Sequence, residues 1–215
     1  MYPTLIVDDF FENPDAIVDY ANSLDYYPTT GEYPGERSKC LSELDGDLYQ
    51  TICSDILDIF YPNKKYMFLC EISFQRIKPF HEDKYHPRNR GWIHRDSQVH
   101  FGGIIYLDKN PEPDTGTSIY ENVGIIGKSD ECMKIKKDFY TGKSVPDDLY
   151  EAAFNYTNKD LEETIAVKNK YNRLFCFNSK QHHAAQTYGS GENVRLTLSF
   201  FFRDIASPFN PPLYR

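Results

Sequence analysis

The segment WIHRDSQVHFGGIIYL, residues 92–107, combines a strand-like apolar run with two residue types that bind metals. Its second half, residues 99–107, is apolar and rich in β-formers, which predicts a strand. In its first half, His94 and Asp96 stand two residues apart. On an extended segment this spacing directs both side chains to one face and Arg95 to the other. Because a lone His-x-Asp also occurs by chance in surface ion pairs and turns, the pair needs a partner elsewhere in the chain.

A pair of histidines further along the chain offers that partner. His182 and His183 follow an apolar strand predicted over residues 173–177. Neighbours on a strand point to opposite faces, so only one of them can join His94 and Asp96. The spacing from the strand favours His183, with His182 as the alternative. Two imidazoles and one carboxylate can hold one face of an octahedral metal and leave three positions open, as in non-heme Fe(II) oxygenases.

A strand predicted over residues 194–202 carries polar side chains on one face. Alternation places Arg195, Thr197 and Ser199 together, opposite an apolar face. Since an unpaired charge is costly in a dry core, the polar face lies either in solvent or along a polar cavity, and the sequence leaves both open. Inside a cavity, Arg195 can form a bidentate pair with the carboxylate of an acidic co-substrate.

Composition and charge narrow the class of protein. The 215 residues are 40% hydrophobic and 15% aromatic, as expected of a globular chain with a sizeable core. A net charge of -8 argues against a nucleic-acid binder, and the basic stretch at residues 133–137 is interpreted as a solvated helix face. Five scattered cysteines without CxxC spacing predict reduced thiols. With neither a signal peptide nor an apolar run of about 20 residues, we expect no membrane association and a cytoplasmic location.

The order of predicted elements indicates helices followed by a β core. A strand over residues 4–11 precedes a helix that begins at Asn13-Pro14 and runs toward Tyr26, and a second helix is predicted over residues 42–60. Further strands are predicted at residues 67–77, 99–107, 118–120, 173–177 and 194–202. We expect one domain over residues 1–215, with helical support from residues 1–65, a β core from 66–203 and an insertion at about 124–172.

Several motifs between residues 70 and 203 follow one another in a familiar order. They are His94-Arg95-Asp96, Tyr106-Leu107-Asp108, Gly116-Thr117-Ser118-Ile119-Tyr120, Phe177 followed by His183, and Arg195-Leu196-Thr197. In this order they resemble the Fe(II)- and 2-oxoglutarate-dependent dioxygenases, specifically the prolyl-hydroxylase-like branch. Residues 13–35 also resemble phage and bacterial proteins of this type whose substrates are unassigned. The resemblance implies an α+β fold with a mainly β core, a double-stranded β-helix (jelly roll, cupin-like) with the N-terminal helices packed on one sheet.

The resemblance also implies a chemistry. His94, Asp96 and His183 would bind Fe(II), and Arg195, helped by Thr197 or Tyr106, would bind 2-oxoglutarate. With O2, and with ascorbate as a supporting reductant, such an enzyme hydroxylates its substrate and releases succinate and CO2. The substrate is either a peptidyl side chain or a small molecule. The alternative is a catalytically inactive, cupin-like module that binds metal or ligand.

A second cluster of ligand-type residues, HEDKYH at residues 81–86, competes for the metal. No strand period gives its two histidines and two carboxylates a common face. We therefore interpret it as a loop near the mouth of the site, not as a second metal site.

Overall fold

A computed structural model describes residues 2–124 and 129–209. The described ranges leave out residue 1, residues 125–128 and residues 210–215. Residues 125–128 fall in the predicted insertion. The helices in the described ranges are α1 (Pro14–Ser23), α2 (Leu41–Leu44), α3 (Gly46–Phe60), α4 (Asp130–Tyr140) and α5 (Asp147–Asn158). Within these ranges, no helix has both the length and the apolar character needed to cross a membrane.

The strands form two antiparallel sheets, so the mixed class of helix and sheet is confirmed. The strands are β1 (Leu5–Val7), β2 (Tyr27–Pro28), β3 (Glu36–Arg37), β4 (Met67–Ile77), β5 (Phe101–Tyr106), β6 (Thr117–Asn122), β7 (Leu161–Val167), β8 (Arg173–Asn178), β9 (His182–Ala185) and β10 (Arg195–Ala206). The large sheet has the order β1-β8-β5-β10-β4-β3-β2, and the small sheet has the order β7-β6-β9. β7 lies inside the predicted insertion, so part of that segment completes the small sheet.

The central strand β10 separates an apolar core from a polar interior. It pairs with β5 on one side and β4 on the other, which places Thr197 between Tyr106 and Gln75. Its apolar residues belong to the main core, where Leu198 is fully buried. Its polar face is buried as well, with Arg195 only 6% exposed. Of the two interpretations left open by the alternation, solvent exposure is therefore excluded.

The N-terminal helices pack on the large sheet, and a single residue divides one of them. A continuous helix was expected over residues 42–60, but Asp45 ends α2 and begins α3. Its backbone is extended, and its carboxylate accepts a hydrogen bond from the Leu48 amide at 2.9 Å, which caps α3. α3 then buries Ile56 in the same core as Leu198. The start of α1 is as predicted, with Asn13 as its N-cap.

Helices α4 and α5 enclose a second apolar cluster beside the His-x-Asp segment. Trp92, 3% exposed, packs there with Tyr150 and Phe154. The Trp92 indole donates a hydrogen bond to the Tyr150 hydroxyl at 2.8 Å. The cluster thus fixes the chain two residues before His94.

Candidate metal and co-substrate site

Backbone pairing brings the predicted His-x-Asp segment and the distal histidine together. The backbone amide of His94 donates to the His183 carbonyl at 3.1 Å, and the backbone amide of His183 donates to the His94 carbonyl at 2.9 Å. The Asp96 amide donates to the Ser179 carbonyl at 3.2 Å. These bonds hold the segment along β9, so that His94, Asp96 and His183 form one group of potential ligands.

Both imidazoles are oriented by a backbone carbonyl two residues earlier in the chain. Nδ1 of His94 lies 2.8 Å from the Trp92 oxygen, and Nδ1 of His183 lies 3.0 Å from the Gln181 oxygen. A ring nitrogen bonded to a carbonyl carries the proton, which leaves Nε2 as the basic atom. In both residues Nε2 points toward Asp96.

The Asp96 carboxylate faces the Nε2 atoms of both rings, whose centres lie 4.4 Å apart. Its Oδ1 is 3.6 Å from Nε2 of His94, and its Oδ2 is 3.5 Å from Nε2 of His183. One potential ligand atom from each residue lies within 4.8 Å of the others. Oδ2 is buried and has no hydrogen-bond partner among the described residues. Because a buried carboxylate oxygen without a partner is unfavourable, this donor set fits a bound cation.

The protein environment keeps both imidazoles neutral. Burial lowers the pKa of His94 well below its usual value, and the charges of His183 and Lys136 add to this effect. The His94 side chain is 48% exposed and lines a cavity. Burial also lowers the pKa of His183, against the opposing effect of Asp96. Neutral imidazole is the form that coordinates metals.

The geometry separates the two neighbouring histidines. The His183 side chain is 8% exposed, its ring centre is 4.2 Å from that of Phe177, and it faces Asp96. His182 precedes it on β9 and therefore projects from the other face of the strand. His182 is not part of the ligand group found in the described ranges.

The three residues predicted to bind the co-substrate also lie together. The Arg195 guanidinium donates through Nε to the Thr115 carbonyl at 2.9 Å, and its carbon lies 5.6 Å from the Tyr106 ring centre. The Tyr106 hydroxyl in turn donates to Thr117 at 2.9 Å. Thr197 is fully buried, and its hydroxyl has no partner among the described residues. A positive, preoriented group thus stands beside an unused hydroxyl.

One cavity connects the ligand group with Arg195. Its walls include His94, His183 and Arg195, so two of the three potential ligands and the guanidinium reach the same cavity. Residues of both sheets and of α4 also line it: Gln75, Ile77, Ile104, Thr117, Lys136, Tyr140, Phe177, Ala184, Ser199 and Phe201. Tyr188 lines it from the loop after β9, Tyr33 from the loop before β3, and Arg37 from β3 itself.

Sequence reasoning missed two cations of this cavity. The stretch at residues 133–137 was interpreted as a solvated helix face, but Lys136 is only 8% exposed and lines the cavity. On α4, Lys136 lies four residues after Cys132 and four before Tyr140, and all three are buried on one face. This spacing was the sequence feature that could have predicted its burial. Arg37 lies in a two-residue strand that follows a Gly/Pro-rich loop, where no pattern distinguishes it.

The competing cluster at residues 81–86 forms a loop, as predicted. The rings of His81 and His86 stack at 3.8 Å, and His86 pairs with Glu151 at 3.2 Å. The buried Asn89 side chain donates to the His81 carbonyl at 2.7 Å. The Asn89 carbonyl accepts from the amide of Tyr188 at 2.7 Å, which ties the loop to the cavity wall.

Several solved structures have a fold similar to that of this chain. HygX from Streptomyces hygroscopicus, with nickel and 2-oxoglutarate bound, gives a TM-score of 0.58 at 12% identity, over 97% of this chain and 84% of HygX. The α-ketoglutarate-dependent epimerase SnoN from nogalamycin biosynthesis gives 0.54 at 12% identity, over 96% and 81%. A study of prolyl 4-hydroxylases from Phytophthora capsici provides a third structure, with 0.50 at 13% identity, over 97% and 60%. At such identities the likeness establishes a shared fold.

The sequence itself places the chain in a family. It belongs to the family of unknown function DUF6445, whose model matches residues 1–202. No curated protein is similar to it in sequence. The fold likeness and the family match thus cover nearly the same part of the chain.

Proposed function

We propose that the chain is an Fe(II)- and 2-oxoglutarate-dependent dioxygenase that hydroxylates its substrate and releases succinate and CO2. The observation that carries this proposal is one cavity lined by His94, His183 and Arg195, with the Asp96 carboxylate facing both imidazole Nε2 atoms. The fold shared with HygX, which binds nickel and 2-oxoglutarate, supports it.

His94, Asp96 and His183 are the residues that would hold iron, through two Nε2 atoms and one carboxylate. When bound, the ferrous ion with O2 and the keto acid supplies the oxidising power for C–H cleavage. The chain contributes orientation, because the carbonyls of Trp92 and Gln181 fix both rings before any metal arrives. It also excludes water with apolar walls. Ascorbate is expected only as a supporting reductant.

Arg195 is the residue that would bind the distal carboxylate of 2-oxoglutarate. Its guanidinium is already fixed by the Thr115 carbonyl and the Tyr106 ring, so little further ordering is needed. The unused Thr197 hydroxyl can donate to the same carboxylate. Neither group moves a proton; both position the co-substrate.

We further infer that the two sheets form a double-stranded β-helix within a single domain, with residues 1–65 as its helical support and residues 66–203 as its β core. The cavity lies between Ile104 of the large sheet and Thr117 of the small sheet, which supports this arrangement. A second HygX structure contains hygromycin B beside 2-oxoglutarate, which supports a small-molecule substrate more than a peptide. The prolyl-hydroxylase-like branch and the likeness to phage proteins stay predictions.

The test is co-substrate binding followed by turnover. Anaerobic protein with Fe(II) should develop the visible absorption of a chelated keto acid when 2-oxoglutarate is added. Admission of O2 with ascorbate should then yield succinate, even without the proper substrate. Metal binding without keto-acid binding would instead indicate the cupin-like module, and binding of neither would reject a metal site.

A further inference from the structure

The cavity holds more positive charge than the proposed chemistry uses. Its walls include three cations, Arg37, Lys136 and Arg195, and only Arg195 has a role above. A divalent metal, the Asp96 carboxylate and a doubly charged keto acid together leave one negative charge, which Arg195 neutralises. Arg37 and Lys136 therefore line the space left for the substrate without a role in the proposed chemistry.

Arg37 is held in a way that leaves a donor unused. Its guanidinium carbon lies 3.9 Å from the Tyr33 ring centre and 5.6 Å from that of Phe201. Its Nη2 donates to Oε1 of Gln75 at 3.3 Å, whereas Nε is buried and has no partner among the described residues. Since an unsatisfied buried donor is unfavourable, this position fits an acceptor oxygen that arrives from outside the chain.

Lys136 brings a second cation to the same part of the cavity. Its side chain is 8% exposed, and Nζ lies 5.7 Å from the Tyr140 ring centre. Lys136 and Arg37 both line the cavity that His94 also lines. The loop that precedes Arg37 reaches α4, since Gly31 lies against Lys137.

We infer that Arg37 and Lys136 form a subsite for the negatively charged group, a carboxylate or a phosphate, of the molecule that is oxidised. The inference rests on the proposed function, because it concerns the substrate that shares the cavity with the keto acid. The two arginines are anchored differently, Arg195 by the Thr115 carbonyl and Arg37 by the Gln75 side chain. The remaining walls are mixed, since Ile77 and Phe177 are apolar whereas Thr117 and Ser199 are polar. The expected substrate is a small acid.

Probes of matched shape test the inference without knowledge of the substrate. Benzoate, its neutral isostere benzamide, and phenyl phosphate are titrated into protein saturated with Mn(II) and N-oxalylglycine, which occupy the metal site and Arg195. Trp92 is the single tryptophan of the chain and lines the cavity, so its fluorescence reports binding, with calorimetry as a second readout. An anion should bind about tenfold or more tightly than benzamide, the factor contributed by one charge-assisted hydrogen bond. The tighter of the two anions identifies the carboxylate or phosphate class.

Single substitutions then test whether Arg37 and Lys136 cause the preference for an anion over benzamide. Arg37→Gln and Lys136→Met should each reduce it to about threefold or less, if each removes one such bond. Lys134→Gln removes the same charge from the 78% exposed position two residues earlier on α4, and should leave the preference unchanged. Equal binding of benzoate, phenyl phosphate and benzamide to the wild type, or an equal loss in Lys134→Gln, would overturn the inference. The wild-type comparison decides even if a variant fails to fold, which thermal unfolding would reveal.

The two proposals fail in different ways. If Mn(II) and N-oxalylglycine do not bind, the proposed function is wrong whatever the anions do. If both bind and the probes show no charge preference, only the subsite is wrong.

Discussion

Arg195 and Arg37 line the same cavity but are supported by different kinds of structure. Arg195 belongs to the central strand β10, is 6% exposed and donates to the backbone carbonyl of Thr115. Arg37 lies in the two-residue strand β3, next to the edge of the same sheet, and its contacts are the side chains of Tyr33 and Gln75. The keto-acid end is thus built into the paired core of the fold. The other end is built on short additions to that core.

Lys136, like Arg37, lies on a segment attached to the core and not on its central strands. Its helix, α4, belongs to the apolar cluster around Trp92, which is separate from the main core that contains Leu198. A change in α4 therefore alters the cavity without disturbing the central strands. If the proposed function is correct, the core determines the co-substrate, whereas attached segments determine the substrate.

The largest expected effect is the loss of the metal, on which both ends depend. Asp96→Ala and His183→Ala should weaken Mn(II) binding by at least about 100-fold, since even partners of metal ligands contribute 10- to 100-fold. His182→Ala is the matched control, because His182 projects away from the site. The Mn(II) affinity of this variant should stay within about threefold of the wild-type value. Calorimetry at fixed pH measures all three. A greater loss in His182→Ala than in His183→Ala would reverse the ligand assignment.

The next effect separates the two arginines. Arg195→Gln should weaken 2-oxoglutarate binding to the metal-loaded protein by about 10- to 100-fold, because it removes a charge-assisted pair. Arg37→Gln should weaken it much less, while the same substitution reduces the anion preference of the substrate end. Keto-acid titrations followed by absorbance measure the first effect. Equal losses in the two variants would show that the cavity has one anion site, not two.

The ligand group was predictable because its chemistry follows strand periodicity. His94 and Asp96 share a face on an extended segment, and His183 follows a clear apolar strand. The polar face of β10 was visible as an alternation, although solvent or cavity could not be decided from one strand. That decision depended on the second sheet, which covers the face.

Features that depend on non-local packing were not predictable. Asp45 divides a helix whose apolar periodicity runs through it, because its carboxylate caps the following turn. Residues 133–137 were interpreted as a solvated face because they contain three lysines. Lys134 and Lys137 are exposed, whereas Lys136 is buried. β7 was assigned to an insertion, because its partner β6 lies some forty residues earlier.

A smaller effect concerns stability at the proposed keto-acid end. Arg195→Met should lower the free energy of unfolding of the metal-free protein by about 1 to 3 kcal/mol, because the carbonyl of the buried Thr115 loses its partner. Lys134→Met, at an exposed position, is the control and should change it by less than about 0.5 kcal/mol. Urea unfolding measures both values, and an unchanged stability in Arg195→Met would show that the Thr115 carbonyl does not depend on Arg195.

The smallest effect concerns a single hydroxyl group at the proposed keto-acid end. Thr197→Val replaces a fully buried hydroxyl that has no partner in the described ranges with a methyl group of nearly the same shape. Without ligand, removal of the unsatisfied group should stabilise the protein by up to about 1 kcal/mol. With metal bound, 2-oxoglutarate affinity should fall by about tenfold, the lower end of the range for one hydrogen bond to a carboxylate. Opposite signs in the two measurements indicate a hydroxyl reserved for ligand, whereas a loss of stability together with unchanged affinity would assign Thr197 to the core.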